Sequence, residues 1–163
     1  WGGHGQWQAR SASAAPQRAI AFAHQALAAH VVYVPEVRHP VEVDAAQHDH
    51  LVKWLSKRLQ RDLKVPNLGF AGYELVGGRL LPGDNGARAQ FMYQNAGGER
   101  VTLYVGAVDA VAGKGAGETA FRYTTEGPVS SFYWVDQGFG YALSGKLPRQ
   151  GLLALAESVY KQL

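Results

Sequence analysis

The spacing of apolar residues changes twice along the chain, from a helical period to an alternation of two and back to a helical period. Ser11 to about Val34 predicts a first helix, rich in alanine and poor in charge, which ends at Pro35 because the residue before a proline avoids the helical region. Its apolar positions at helical spacing are Ile20, Ala23, Leu27, Val31 and Val34. Because so little of its circumference is charged, we expect much of this helix to be covered.

A second helix is predicted to begin at Asp44, whose side chain would cap free backbone N–H groups and which Gln47 follows in a capping-box pattern. The helix carries one apolar stripe, formed by Leu51, Trp54, Leu55, Arg58 and Leu59. The opposite side is basic, with Lys53, Lys57, Arg61 and Lys64. We interpret this row as the solvated side of an amphipathic helix, and the alternative is a face that lies on anionic lipid headgroups.

From Leu68 onward the alternation predicts about six strands joined by short turns. Gly77 and Gly78 predict a first tight hairpin between residues 73–76 and 79–81. A second hairpin joins 88–94 to 99–105, and three further strands follow at 118–124, 129–135 and 139–143. Such short connections are typical of an antiparallel meander.

Pro148 opens a last helix, whose apolar stripe is Leu152, Leu155, Val159 and Leu163. The order of elements predicts an α+β fold with two N-terminal helices, an antiparallel meander of about six strands, and a C-terminal helix packed on the sheet. We expect two layers, with the helices covering one face of the sheet.

Length and composition point to one domain that spans residues 1–163. A chain of 163 residues is long enough to bury a core without disulfides, and it contains no cysteine, which excludes thiolate metal sites and cysteine nucleophiles. The net charge of +3 is only mildly basic, and the only dense basic run is Lys53, Lys57, Arg58, Arg61 and Lys64, so we expect no nucleic-acid partner. No stretch approaches the roughly 18 apolar residues of a membrane span.

The chain begins at Trp1, and we therefore expect a piece of a longer protein. Residues 1–10 contain Trp1 and Trp7 among glycines, which suits a segment close to a bilayer and equally suits a disordered end. Both interpretations stay open at this point.

The sequence carries no recognisable catalytic or metal-binding motif. His48 and His50 are two residues apart on a predicted helix, so they diverge and cannot share an ion. The glycine-rich segment from Val111 to Gly117 lacks the Ser or Thr that follows the lysine of a phosphate loop, and we interpret it as a hairpin tip. We expect no catalytic residue, no metal and no cofactor, and we expect that the protein is not an enzyme.

The candidate ligand-binding residues are an aromatic group around one carboxylate: Phe132, Trp134, Asp136 and Tyr141. An aromatic pocket on neighbouring strands would suit a small molecule. The structural alternative is that Asp136 belongs to a turn and that the aromatic side chains are core residues and cross-strand pairs. The other carboxylates considered for acid–base chemistry, Glu74, Asp109 and Glu118, lie near predicted turns or strand ends, where solvation explains a charge.

Several strings of residues resemble the extracytoplasmic, C-terminal part of membrane-bound anti-sigma factors that control extracytoplasmic-function sigma factors. The similarity covers roughly Tyr33 to the end of the chain and is carried by structural strings without catalytic signatures. These strings are Tyr33–Val43, His50–Leu59, Leu75–Pro82, Ala89–Tyr93, Phe132–Asp136 and Phe139–Leu143.

The resemblance implies a transmembrane transcriptional regulator whose sensor domain lies at the periplasmic face of the bacterial inner membrane. A cytoplasmic part outside this sequence would hold the sigma factor and any zinc motif, and one helix before Trp1 would cross the membrane. The first helix would then connect that span to the sensor domain. The resemblance transfers no ligand site to particular residues.

The hypothesis that follows is a signalling domain with two states of similar free energy, one of which an envelope signal favours. The signal would be an envelope protein or a small molecule, and the domain would act as a monomer or a homodimer. One rival interpretation is a periplasmic module that binds a small molecule through Phe132, Trp134 and Tyr141. A less favoured rival is an enzyme built from helices and a curved sheet, which would need Asp136 or another carboxylate buried in a pocket.

Overall fold

A computed structural model describes residues 19–32, 43–44, 47–83, 86–108 and 121–163, which form an antiparallel sheet with helices on both faces. The helices are α1 (residues 19–32), α2 (His48–Leu59) and α3 (Arg149–Gln162). The strands are β1 (Val43–Asp44), β2 (Glu74–Leu81), β3 (Arg88–Gln94), β4 (Arg100–Ala107), β5 (Arg122–Glu126), β6 (Val129–Asp136) and β7 (Phe139–Gly145). The predicted α+β fold with an antiparallel sheet and a C-terminal helix on it is therefore confirmed.

The order of strands across the sheet is β1-β2-β3-β4-β7-β6-β5. Two meanders, one from β1 to β4 and one from β5 to β7, are joined where β4 pairs with β7. The second meander therefore starts at the far edge of the sheet and returns to its centre. Strand spacing predicted the meanders but not this order.

The two faces of the sheet bury different kinds of residue because side chains alternate between faces along each strand. Leu103, Leu143 and Trp134 belong to the main core together with α2 and α3. Their neighbours Tyr104, Ala142 and Tyr133 lie on the other face and pack against α1. The expectation of two layers is therefore wrong, since α1 covers the second face and makes three.

Helix α1 buries Ala23 and Leu27 of the predicted apolar stripe, but its buried side is wider than predicted and does not include Val31. Its buried positions are Ala19, Phe22, Ala23, Ala26, Leu27 and His30, whereas Val31 is 51% exposed. The small alanine side chains let α1 approach the sheet closely. The predicted ends of this helix, 11–18 and 33–34, lie outside the described residues. None of the helices in the described part of the chain has the length and apolar character needed to span a membrane.

Helix α2 confirms the predicted apolar stripe but begins later than expected. Leu51, Leu55 and Leu59 are buried, and the helix ends where Gln60 adopts a left-handed conformation with φ 57°. The predicted capping role of Asp44 is wrong, because Val43–Asp44 pairs with Gly77 and Gly78 as a short edge strand. Gln47 occupies the capping position and makes no side-chain hydrogen bond there.

The hairpin predicted at Gly77 and Gly78 is also wrong. Both glycines lie inside the single strand β2, next to a bulge between Leu75 and Gly77. Gly78 instead allows close approach of α2, because a Cβ atom there would lie 2.8 Å from Leu51 Cδ1. A glycine pair is compatible with a turn and with a close approach, and only the packing of α2 distinguishes the two.

The other predicted turns have the expected local structure. Residues 95–99 connect β3 to β4, and Gln137 and Gly138 connect β6 to β7 with φ values of 51° and 79°. Such positive values at both positions match the twist of a two-residue hairpin. Phe91 and Tyr93 share a face, and the Tyr93 hydroxyl donates to the Pro66 carbonyl oxygen at 2.7 Å.

We predict that Gly140→Ala disturbs the contact of α1 with the sheet. A Cβ atom at Gly140 would lie 2.6 Å from Val108 Cγ2 and 3.0 Å from the Phe22 ring, both of which are buried. We expect this overpacking to lower the free energy of unfolding by about 1–3 kcal/mol, which urea unfolding measures.

The matched control is Gly151→Ala in α3, where an added Cβ atom meets nothing within 4 Å. This variant should be stabilised by about 0.5–1 kcal/mol, because alanine favours a helix over glycine. Equal stability of the two variants would contradict the described packing of α1.

Candidate functional site

The four predicted ligand-binding residues lie together on the β6–β7 hairpin, mostly within the core. Trp134 stacks on Tyr141 with ring centroids 5.5 Å apart and an angle of 18° between the rings. Phe132 is 3% exposed and Trp134 is 2% exposed, so neither ring is accessible to a ligand in this conformation. Asp136 is half-buried at the end of β6, opposite Phe139.

Tyr141 is the member of this group that reaches a cavity. The cavity has a volume of about 200 Å³ and is lined by Arg61, Lys64, Val105, Tyr141 and Leu163 among others. Burial raises the pKa of the Tyr141 hydroxyl, the positive charge of Arg61 lowers it, and the negative charge of Asp136 raises it. The structure thus brings Tyr141 and Asp136 into one electrostatic environment, while Phe132 and Trp134 lie behind it.

Arg61 is a residue of this cavity that sequence reasoning assigned to the solvated side of α2. Because α2 ends at Leu59, Arg61 leaves the helical path and places its guanidinium carbon 4.3 Å from the centre of the Phe139 ring. Its Nη1 also donates to the Gln137 carbonyl oxygen at 3.1 Å. Arg61 therefore ties the chain after α2 to the β6–β7 turn.

A second group of polar residues lies between α1 and the sheet. We call Gln25, His30, Arg88, Thr102 and Tyr104 the α1 seam. His30 Nδ1 lies 2.8 Å from Thr102 Oγ1, and Arg88 Nη1 donates to Gln25 Oε1 at 3.0 Å. The face under α1 is thus held by hydrogen bonds as well as by apolar contacts.

Arg88 is buried to 3% exposure although no carboxylate among the described residues pairs with it. Its guanidinium carbon lies 4.7 Å from the centre of the Phe22 ring and 5.6 Å from that of Tyr104, which is cation–π distance. Gly83 and Gly106 leave room for the side chain, because a Cβ atom at either position would collide with it. Arg88 Nε has no hydrogen-bond partner within the described residues.

His30 is held neutral at the end of the α1 seam. Burial lowers the pKa of its imidazole to about 4, and the positive charge of Lys146 acts in the same direction. Burial disfavours the charged form of a histidine because the imidazolium loses its hydration. The docked position of α1 is therefore coupled to the protonation of one side chain.

His30 also lines a second cavity, of about 240 Å³, which we call the His30 cavity. Its other lining residues come from three separate parts of the chain and include Tyr73, Glu99, Arg100, Lys146 and Leu147. Sequence reasoning missed this site. The available signal was the position of His30 on one helical face with Ala19, Phe22, Ala23 and Ala26.

The remaining candidates for chemistry do not assemble into a site in the part of the chain that the structure describes. Within it, no three histidine, aspartate or glutamate side chains are close enough to hold a metal ion. Glu74 and His50 are exposed. The side chains of Asp44 and His48, the segment Val111–Gly117, Asp109 and Glu118 lie outside what is described.

The sequence was compared with protein-family models and with curated proteins. No protein-family model matches the chain, and a search of curated proteins finds no significant match.

We predict that His30 makes the stability of the protein depend on pH. Because the pKa of His30 falls from 6.5 to about 4 on folding, the unfolded chain binds more protons between these values. The free energy of unfolding should therefore decrease as the pH falls through this window, by about 3 kcal/mol at most. Urea unfolding at pH 7 and pH 4 measures the change.

The change must be compared between variants, because other groups also titrate. His30→Gln should lose less stability than the unmodified chain between pH 7 and pH 4, since glutamine does not titrate. His24→Gln, which replaces an exposed histidine of the same helix, should behave like the unmodified chain. The same pH dependence in all three proteins would contradict the role assigned to His30.

We predict that Arg88 contributes more by its shape than by its charge. Arg88→Met keeps an unbranched chain between Gly83 and Gly106 and removes a buried charge that has no carboxylate partner, so stability should change by less than about 1 kcal/mol. Arg88→Ala leaves a void and should cost about 2–4 kcal/mol. Thermal and urea unfolding would contradict this prediction if both variants were destabilised equally.

Proposed function

We propose that this chain is the extracytoplasmic sensor domain of a membrane-anchored anti-sigma factor, placed at the periplasmic face of a bacterial inner membrane. The proposal is supported by the resemblance of the strings from Tyr33 onward to that class of protein. The structural observation that carries it is the polar α1 seam, which couples one helix to the sheet by contacts that respond to their surroundings.

In this proposal the docked and undocked positions of α1 are close in free energy, because α1 buries few large apolar side chains. Phe22 and Leu27 are the large apolar side chains that α1 buries, and the other buried positions are three alanines and His30. Release of α1 would let Gln25, His30 and Arg88 exchange their hydrogen bonds for water, which offsets part of the lost contacts. A helix with a leucine stripe would lose far more apolar burial.

In this proposal α1 lies between the sheet and the membrane-spanning segment of the parent protein. A signal that binds the docked form more tightly than the undocked form shifts the population of α1. A ten- to hundredfold change in output requires about 1.4–2.8 kcal/mol of differential binding. The cytoplasmic part of the parent protein would then hold or release its sigma factor, or the segment before α1 would become open to proteolysis.

A small-molecule-binding module is the second candidate, and the two cavities of about 200 and 240 Å³ favour it. The two candidates are compatible, because a bound small molecule is one form of the signal. In the described part of the chain, Asp136 lines neither cavity, and no observation favours the enzyme alternative.

We predict that undocking α1 uncouples the response of the sigma factor from envelope stress. Ala23 is fully buried against the sheet, so Ala23→Glu places a charge where it loses its hydration. In cells that carry the full-length parent protein, a sigma-dependent reporter should become insensitive to envelope stress with this variant. Its output should be locked in one state, about tenfold from the other.

The matched control is Ala28→Glu, which adds the same charge to the exposed side of α1 and should leave the response intact. Deletion of Leu51–Leu163 gives the complementary test, since it removes the sheet on which α1 packs. If that deletion changed neither the reporter output nor its response to stress, the domain would not be the sensor.

A further inference from the structure

The His30 cavity lies where four separate parts of the chain meet: the last turn of α1, the residue before β2, the β3–β4 turn, and the link between β7 and α3. A ligand held there would contact α1 and the sheet at the same time. Binding would then depend on the docked position of α1, which makes this cavity the place where a small molecule acts on the α1 seam.

Buried side chains with polar groups line the cavity. His30 is 2% exposed and Tyr73 is 5% exposed, and each presents a polar group on a ring held by packing. Thr102 Oγ1 engages His30 Nδ1 at 2.8 Å, which fixes the imidazole and leaves Nε2 as its second hydrogen-bonding atom. Arg100 Nε donates to Gln94 Oε1 at 2.7 Å, so that the base of the turn is also held in place.

The charges around the cavity favour a ligand with one negative charge. Arg100 and Lys146 are cationic, Glu99 is anionic, and neutral His30 adds nothing, so the lining carries one net positive charge at neutral pH. A phosphate dianion would exceed this charge and would lie near Glu99, whereas a single carboxylate matches it. Val101 and Leu147 provide an apolar wall for a short hydrocarbon chain.

We propose that the His30 cavity binds a small carboxylate with a short hydrocarbon chain, and that the bound carboxylate fastens α1 to the sheet. The role of this ligand as a signal rests on the proposed function, but binding itself is a property of this chain. The carboxylate lies between Lys146 and His30, with its hydrocarbon part against Val101 and Leu147.

Binding is coupled to the protonation of His30. A carboxylate beside the imidazole offsets the charge of Lys146 and favours the imidazolium, so the pKa of His30 rises when the cavity is filled. By linkage, binding takes up protons and becomes tighter as the pH decreases below 7. The other charged or titratable groups of the lining are Tyr73, Glu99, Arg100 and Lys146.

Isothermal titration of the 163-residue chain with sodium pentanoate at constant ionic strength tests the proposal. We expect saturable binding at one site that tightens from pH 7 to pH 5.5. Two further probes separate the features of the ligand. Sodium chloride has the charge without the hydrocarbon chain, 1-pentanol has the chain without the charge, and neither should bind comparably.

Lys146→Met should weaken pentanoate binding about tenfold, because it removes the more exposed cation of the cavity. Lys161→Met removes an exposed lysine of α3 that does not line the cavity, and it should leave binding unchanged. The NMR titration of the His30 ring should show a higher pKa with pentanoate than without it. Pentanoate would not change the pKa of His30 if Lys146 affected only the stability of the fold.

Three results would overturn the proposal: no saturable binding of pentanoate, equal binding of 1-pentanol, or a Lys146→Met variant that binds like the Lys161→Met variant. These outcomes are distinct from failure of the proposed function. If pentanoate binds and the Ala23→Glu reporter still responds to stress, the site stands and the sensor proposal fails. If that reporter is locked and pentanoate does not bind, the sensor proposal stands and the ligand is wrong.

Discussion

The pairing of β4 with β7 is the contact on which the rest of the structure depends. It joins two meanders in which strands next to each other in the chain pair with each other, and it places Leu103 opposite Leu143 and Tyr104 opposite Ala142. Because successive side chains point to opposite faces, this one register fills both the main core and the layer under α1. It also locates the two cavities. The Val105–Tyr141 pair lies at one of them, and the other lies beyond the opposite end of the pairing, next to Val101 and Lys146.

The two faces that this pairing creates differ in what holds their helices. On one face α2 and α3 bury leucine stripes against aromatic and aliphatic strand residues, with Trp134 stacked on Tyr141 at its centre. On the other face α1 buries Phe22, Leu27 and three alanines, with hydrogen-bonded polar groups beside them. Apolar burial is the main favourable term in folding, and α1 buries fewer large apolar side chains than α2 and α3 together, so we expect α1 to open at a lower free energy. The proposed sensor role would use this element, because motion is drawn from the least stable part of a fold.

The α1 layer contains one buried charged side chain, Arg88, and one buried titratable side chain, His30. Arg88 keeps its charge beneath α1 with aromatic rings, the Gln25 amide oxygen and the Tyr104 hydroxyl as partners. His30 stays neutral because burial would remove the hydration of an imidazolium, and because Lys146 adds a positive charge nearby. Both arrangements are sensitive to an anion that comes close, since a negative charge favours the cationic form of His30 and compensates the charge of Arg88. The carboxylate site proposed for the His30 cavity uses this property, and it connects the chemistry of a ligand to the position of a helix.

The sequence by itself determined the elements whose evidence is local. The leucine stripes of α2 and α3, the β3–β4 hairpin and the turn at Gln137–Gly138 were all predictable, because helical period, strand alternation and turn chemistry are properties of neighbouring residues. The tertiary structure alone decided which strands meet at the centre of the sheet, that Gly77 and Gly78 continue a strand, and that α1 covers the second face. It also decided that Arg61 and His30 line cavities while Phe132 and Trp134 fill the core. The physical reason is that each of these outcomes is a competition between contacts distant in the chain, and a local pattern shows which side of an element is apolar without showing what will cover it.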